Sequence, residues 1–148
     1  MAVIRLTKEF TFEMAHLLEG YDGPCSNIHG HSYKLEVTVI GQPNTDEKNP
    51  KYGMVMDFGQ LKKIVSEQIV SRFDHVLLVN RKSKLAKAKN ELPIQKIVEV
   101  DYQPTCENLL PHIAQLVSKY LPEKVKLHSL KLHETATSYA EWYASDNE

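Results

Sequence analysis

Apolar and polar positions alternate between residues 3 and 16: Phe10, Phe12, Met14 and His16 share one face, and Thr11, Glu13 and Ala15 the other. Residues 31–41 repeat the pattern, with His31, Tyr33, Leu35, Val37 and Val39 on one side and Ser32, Lys34, Glu36 and Thr38 opposite. A period of two predicts two half-buried β-strands. Each carries a histidine on its apolar face, His16 at the end of the first and His31 at the start of the second. If the strands pair antiparallel, these ends meet. Glu19 to Ile28 would then be the connection, turned by Gly20, Gly23 and Pro24.

Beyond residue 41 the period changes. Gln42 to Gly53 reads as a loop and Met54-Val55-Met56 as a short strand. Asp57 is an N-cap for a helix over 58–71, with Leu61, Ile64, Val65 and Ile69 as its apolar stripe and Asp74-His75 after its end. Residues 81–92 carry the cations Arg81, Lys82, Lys84, Lys87 and Lys89 and little else, and 94–102 reads as a strand. Thr105 caps a second helix that turns Leu109, Ile113, Leu116, Val117 and Tyr120 to the core. Pro111 should kink that helix or tighten its first part, and Pro122 should end it. Residues 125–134 and 138–143 read as a closing hairpin. This order predicts an α+β fold, two helices on one face of an antiparallel sheet.

Composition narrows the function classes. The 148 residues are 42% apolar and 25% charged, without repeat or linker, so residues 1–148 are expected to form a single domain. A net charge of −1, from 18 basic and 19 acidic residues, argues for neither nucleic acid nor a membrane surface as partner. No run is long enough to span a bilayer, and the first residues lack a signal-peptide core. With only Cys25 and Cys106, a reducing cytoplasm is the expected location. Seven histidines are many for this length, and they cluster.

The run Cys25-Ser26-Asn27-Ile28-His29-Gly30-His31 gathers one thiol and two imidazoles. Histidines at i and i+2 of an extended chain point the same way. His16, His29 and His31 are therefore candidate metal ligands; the alternative is ordinary loop histidines. Three neutral imidazoles suit zinc and leave a fourth position open. Cys25 is a candidate base or nucleophile, or else a small buried hydrophobe, and its neighbours Pro24, Ser26 and Asn27 argue against a core position. Cys106, in a first helical turn, reads more readily as packing. Asp74-His75 sets a carboxylate beside an imidazole, although adjacent residues of an extended chain point apart; taken alone it reads as a helix end and a surface histidine. Glu134 could accept two N–H groups from an amidine-like ligand edge, or be a solvated strand-end acid. The cations at 81–89 could draw a phosphorylated substrate, but more often form a solvated face.

Taken together, Phe12-Glu13-Met14-Ala15-His16, Cys25-x-x-x-His29-Gly30-His31-Ser32-Tyr33, Gly53-Met54-Val55-Met56-Asp57-Phe58, Phe73-Asp74-His75, Pro104-Thr105-Cys106-Glu107-Asn108 and Glu134-Thr135 resemble, in order, the 6-pyruvoyltetrahydropterin synthase/6-carboxytetrahydropterin synthase family. The resemblance implies a tunnelling fold (T-fold): a four-stranded antiparallel sheet with two helices on one face, closing into barrels as trimers and stacking as a homohexamer with active sites between subunits. It implies Zn2+ on His16, His29 and His31, and Cys25 as the proton-abstracting thiol. It also implies Asp74 and His75 as a relay, Glu134 as the acid that anchors the pterin, and Thr105 and Cys106 along the pterin pocket. The three residues between Cys25 and His29 resemble the bacterial 6-carboxytetrahydropterin branch of queuosine (7-deazaguanine) biosynthesis; the pyruvoyl enzymes of animals have a longer interval. That branch implies a lyase acting on 7,8-dihydroneopterin triphosphate. The alternatives are a 6-pyruvoyltetrahydropterin synthase and a non-catalytic zinc- or pterin-binding protein. The longer segment at 81–103 departs from the compact bacterial pattern, and so does Pro111.

Overall fold

The computed structural model describes residues 2–23 and 26–148, so Cys25 lies outside the described residues. Strands β1 (Ile4–His16) and β2 (His29–Gly41) pair antiparallel along their whole length, from Ile4 opposite Gly41 to His16 opposite His29. The alternating pattern is thereby met residue for residue, and the histidine-bearing ends do meet.

A helical stretch follows. Helix α1 (Phe58–Val65) is capped by Asp57, whose carboxylate accepts from the Gly59 N–H at 2.8 Å. A π-helical turn (Ser66–Val70) leads into a short α2 (Ser71–Phe73). Leu61, Val65, Ile69 and Phe73 are all fully buried. Steps of four drift around an α-helix of 3.6 residues per turn, and the wider π turn takes up the extra residue and keeps the stripe on the sheet. Met54-Val55-Met56 is not a strand. Met54 is held in a turn, its N–H donating to the Lys51 carbonyl and its carbonyl accepting from the Asn44 N–H.

The remaining elements are β3 (Val76–Asn80), α3 (Lys84–Lys87), β4 (Ile97–Val100), α4 (Cys106–Ser118), β5 (Lys126–Thr135) and β6 (Ser138–Tyr143). They complete a six-stranded sheet in the order β4-β3-β1-β2-β5-β6. Strands β1, β2, β5 and β6 are antiparallel neighbours, but β3 runs parallel to β1 and β4 parallel to β3. The sheet is therefore mixed and six-stranded, and not the four-stranded antiparallel sheet expected from the sequence.

Strand β3 escapes a period-two reading because Val76, Leu77, Leu78 and Val79 are all buried. A strand covered on both faces shows a continuous apolar run. Val76 and Leu78 join the main core; Leu77 and Val79 pack on the other face with Ala86 of α3 and with Ala15, Leu17 and Ile94. The cationic stretch thus hides a cover for β3: Ser83 caps α3 by accepting from the Ala86 N–H, and the apolar residues turn inward.

The main core lies between the sheet and α1, α2 and α4. Phe10, Phe12, Met14, Tyr33, Leu35, Val37 and Val39 meet Leu61, Val65, Ile69, Leu109, Ile113 and Val117 there. Helix α4 starts as expected, with Thr105 Oγ1 accepting from the Asn108 N–H at 3.3 Å, and it contains Pro111. It ends at Ser118, which leaves Tyr120 exposed and not in the core.

Candidate functional site

Three imidazoles converge where β1 ends and β2 begins. His16, on the buried face of β1, is 1% exposed, and its Nδ1 lies 2.7 Å from the Pro104 carbonyl oxygen. His29 Nδ1 lies 2.7 Å from the Asn27 carbonyl oxygen. A carbonyl only accepts, so each Nδ1 must carry the proton. In the neutral rings each Nε2 is then a bare lone pair, yet His16 Nε2 and His29 Nε2 are only 2.9 Å apart. Two facing lone pairs need a cation or a shared proton between them.

His31 supplies the third nitrogen. Its Nε2 is buried without a hydrogen-bond partner. The candidate ligand atoms of the three residues all lie within 4.8 Å of one another, so the cluster could hold a metal ion. Burial lowers the pKa of His16 against the opposing pull of the Pro104 carbonyl, and burial likewise lowers that of His31 against the charge of Glu134. Both shifts favour the neutral, ligating form. Main-chain acceptors behind His16 and His29 fix ring orientation and tautomer, as outer partners of metal-bound histidines do.

Glu134 flanks this cluster. It lies on β5 beyond Leu130 and Leu132, at the point where pairing with β6 shifts register. Oε1 is 3.4 Å from His31 Nε2, and Oε2 is 3.5 Å from Cys106 Sγ, which donates to it. Burial, reinforced by the Glu134 charge, pushes the Cys106 thiol up to about 12, so it stays a protonated donor. Cys106 is therefore packed, as its place in the helix suggested, and also touches the site acid. Thr105 spends its hydroxyl lone pair on the helix cap.

Asp74 and His75 stand elsewhere. Adjacent side chains of an extended chain diverge, but His75 has φ of 60°, and the left-handed backbone folds its ring back until Nδ1 is 3.0 Å from Asp74 Oδ1. Glu13 frames the pair: its N–H donates to Asp74 Oδ1 at 2.8 Å, and its carbonyl accepts from the His75 N–H at 2.6 Å. The Glu13 N–H is the main reason that the Asp74 carboxyl sits below its ordinary value. His75 lines a groove of about 600 Å³ with Glu13, Ala15, Leu77, Ile94 and Lys96. The groove is also lined by Met14 and Val76 of the main core, while Ala15, Leu77 and Ile94 belong to the cluster on the other face. Among the described residues no hydrogen bond or ion pair joins the two groups.

Sequence reasoning missed the Pro104 and Asn27 carbonyls and the role of the Glu13 backbone, because main-chain atoms leave no residue-type signal. Fold and site together define an α+β protein with a three-histidine centre beside a carboxylate. Residues 5–145 match the 6-pyruvoyl tetrahydropterin synthase family, and the chain belongs to that family. It is thus an enzyme of the tetrahydropterin synthase kind. It is 35% identical to the 6-carboxy-5,6,7,8-tetrahydropterin synthase of Haemophilus influenzae, over 95% of this chain and 99% of that protein. The enzyme of the same name from Rickettsia typhi is 31% identical over 94% of this chain and 99% of its own length. The Caenorhabditis elegans 6-pyruvoyl tetrahydropterin synthase has the same fold, with a TM-score of 0.67 and 22% identity over 97% of each chain. Among the described residues no helix is long and apolar enough to cross a membrane.

Proposed function

We propose that this chain is a zinc-dependent 6-carboxy-5,6,7,8-tetrahydropterin synthase, a cytoplasmic lyase of queuosine (7-deazaguanine) biosynthesis. Its substrate is 7,8-dihydroneopterin triphosphate; its other products are acetaldehyde and triphosphate. The observation that carries the reading is the convergence of three imidazoles whose Nδ1 atoms are committed or whose Nε2 is left orphaned, beside a carboxylate. Relatives that carry the 6-carboxy name over nearly their whole length support this product over the pyruvoyl one.

The donor set fits zinc: three neutral imidazoles with room for a fourth ligand. His16, His29 and His31 would hold the ion, and when bound it supplies Lewis acidity towards oxygens that gain negative charge. Glu134 accepts the paired N–H groups of the pterin ring and sets its orientation. Cys25 serves as the base for the side-chain proton. Asp74 Oδ1 takes the hydrogen of His75 Nδ1, which leaves Nε2 as the proton acceptor of the relay. Thr105 and Cys106 border the ring.

Because, among the described residues, no hydrogen bond or ion pair joins Asp74 and His75 to the histidine cluster, they serve the centre of a neighbouring copy. A homohexamer with sites between subunits meets that need. The test is incubation of the zinc-loaded protein with dihydroneopterin triphosphate and mass spectrometry of the products. A pyruvoyl product without acetaldehyde would replace this reading with that of a 6-pyruvoyltetrahydropterin synthase.

A further inference from the structure

Main-chain carbonyls orient both His16 and His29, but from different distances along the chain. The Asn27 carbonyl stands two residues before its own histidine. The Pro104 carbonyl, 2.7 Å from His16 Nδ1, comes from 88 residues away, so the link from β4 to α4 has to be held against β1. That link is fixed at the Gln103 carbonyl. It accepts the Thr105 N–H at 2.8 Å, which closes a three-residue turn about Pro104, and it accepts the side-chain amide of Asn108 at 3.0 Å. A carbonyl oxygen has two lone pairs, and both are used. The peptide between Gln103 and Pro104 is planar, and the proline ring fixes φ, so ψ of Pro104 alone is left to aim its carbonyl. The Thr105 N–H, bonded back to Gln103, sets that angle. The Gln103 side chain ties the link to the chain just beyond β1 by donating to the Glu19 carbonyl at 3.1 Å.

We propose that Asn108 is a positioning residue of the three-histidine centre: through the Gln103 and Pro104 carbonyls it keeps His16 in the Nδ1–H tautomer, with Nε2 turned to a metal ion. The inference rests on the metal site proposed above and adds the device that holds one of its ligands ready. Asn108 is exposed, in the first turn of α4, and its own N–H donates to Thr105 Oγ1. Its side-chain amide is therefore free of the helix cap and spent on the link. Without that amide the Gln103 carbonyl turns to water, the Pro104 carbonyl loses its aim, and the His16 ring is no longer confined to one tautomer. A residue that only supported the helix would behave otherwise. The N-terminus of a helix favours negative charge, so N108D, which keeps the shape but cannot donate when ionised, spares the fold and breaks only the path to His16.

The experiment compares the parent and N108D at about pH 7.5, where an aspartate is ionised. Melting of the metal-free proteins reads the fold. Cobalt(II) is then added, and its affinity is measured by chelator competition. In the loaded protein the paramagnetic ion shifts the ring N–H protons of its ligands clear of other NMR signals, so their exchange with water can be followed. N108D is expected to melt within about 2 °C of the parent. It should bind cobalt about fivefold more weakly, and one ring N–H should exchange faster. Parent-like affinity and exchange in N108D would overturn the proposal. So would weaker binding accompanied by a fall in melting temperature of more than about 5 °C, which would make Asn108 a support of the helix alone. Should N108D fail to fold by circular dichroism, N108A, which favours a helix and also lacks the amide, decides by the same measurements. Retention of cobalt by H16A would instead overturn the underlying metal site.

Discussion

His16 and His29 each turn one ring nitrogen to a main-chain carbonyl and the other towards its neighbour, an arrangement that only a cation or a shared proton satisfies. His16→Ala and His31→Ala should therefore each reduce bound zinc, measured by elemental analysis after dialysis, from about one ion per chain to near none. Retention of zinc by either variant would remove that residue from the ligand set. His31, whose Nε2 is buried without a hydrogen-bond partner, gives the metal-free protein an acid weakness. Burial holds it below its ordinary value of 6.5, so the unfolded chain binds a proton there that the folded chain refuses. Its contribution is fully present above that value and is lost as the pH falls through the lower folded value. The urea midpoint of the metal-free protein should be lower at about pH 5.5 than at about pH 7.5, and the difference should be smaller in H31F. Equal differences would contradict the assignment. His75 presents a different strain. A side chain at positive φ costs about 1 kcal/mol relative to glycine, so H75G should melt several degrees above H75A. Equal melting temperatures would mean that the left-handed turn stores no strain.

At the scale of elements, Leu78 shows what β3 contributes. It is fully buried at the centre of a parallel strand with apolar cover on both faces. Leu78→Ala should cost about 3 kcal/mol, read as a fall in the urea midpoint with unchanged slope. A loss below about 1 kcal/mol would show that β3 is peripheral to the core. This strand also marks the limit of what the sequence could reveal. Strands β1 and β2 were legible because each has one wet face, and that alternation placed His16 opposite His29. Val76–Val79 has no wet face and so no period, and its cover lay hidden among the lysines of α3. The helix caps Asp57 and Thr105 were legible from residue type, but the π turn was not, since only packing of Leu61, Val65, Ile69 and Phe73 on the sheet calls for it. Within the candidate site, the three histidines that converge could be named in advance from their strand faces. The carbonyls that set their tautomers and the positive φ that brings His75 to Asp74 could not.

For the whole molecule the question is whether the two separated groups serve one reaction, as the proposed function requires. Glu134 lies beside the histidine cluster, whereas His75, paired with Asp74, lines a separate groove. If neighbouring copies join them, H16A and H75A should each be inactive alone, and their refolded mixture should regain part of the activity through hybrid sites. No recovery from a mixture shown to contain hybrid oligomers would confine the site to one chain. The most direct test of the central claim remains the reaction itself. Zinc-loaded protein given dihydroneopterin triphosphate should yield 6-carboxy-5,6,7,8-tetrahydropterin and acetaldehyde in equal amounts by mass spectrometry. A pyruvoyl product without acetaldehyde, or substrate left unchanged by fully loaded protein, would contradict it.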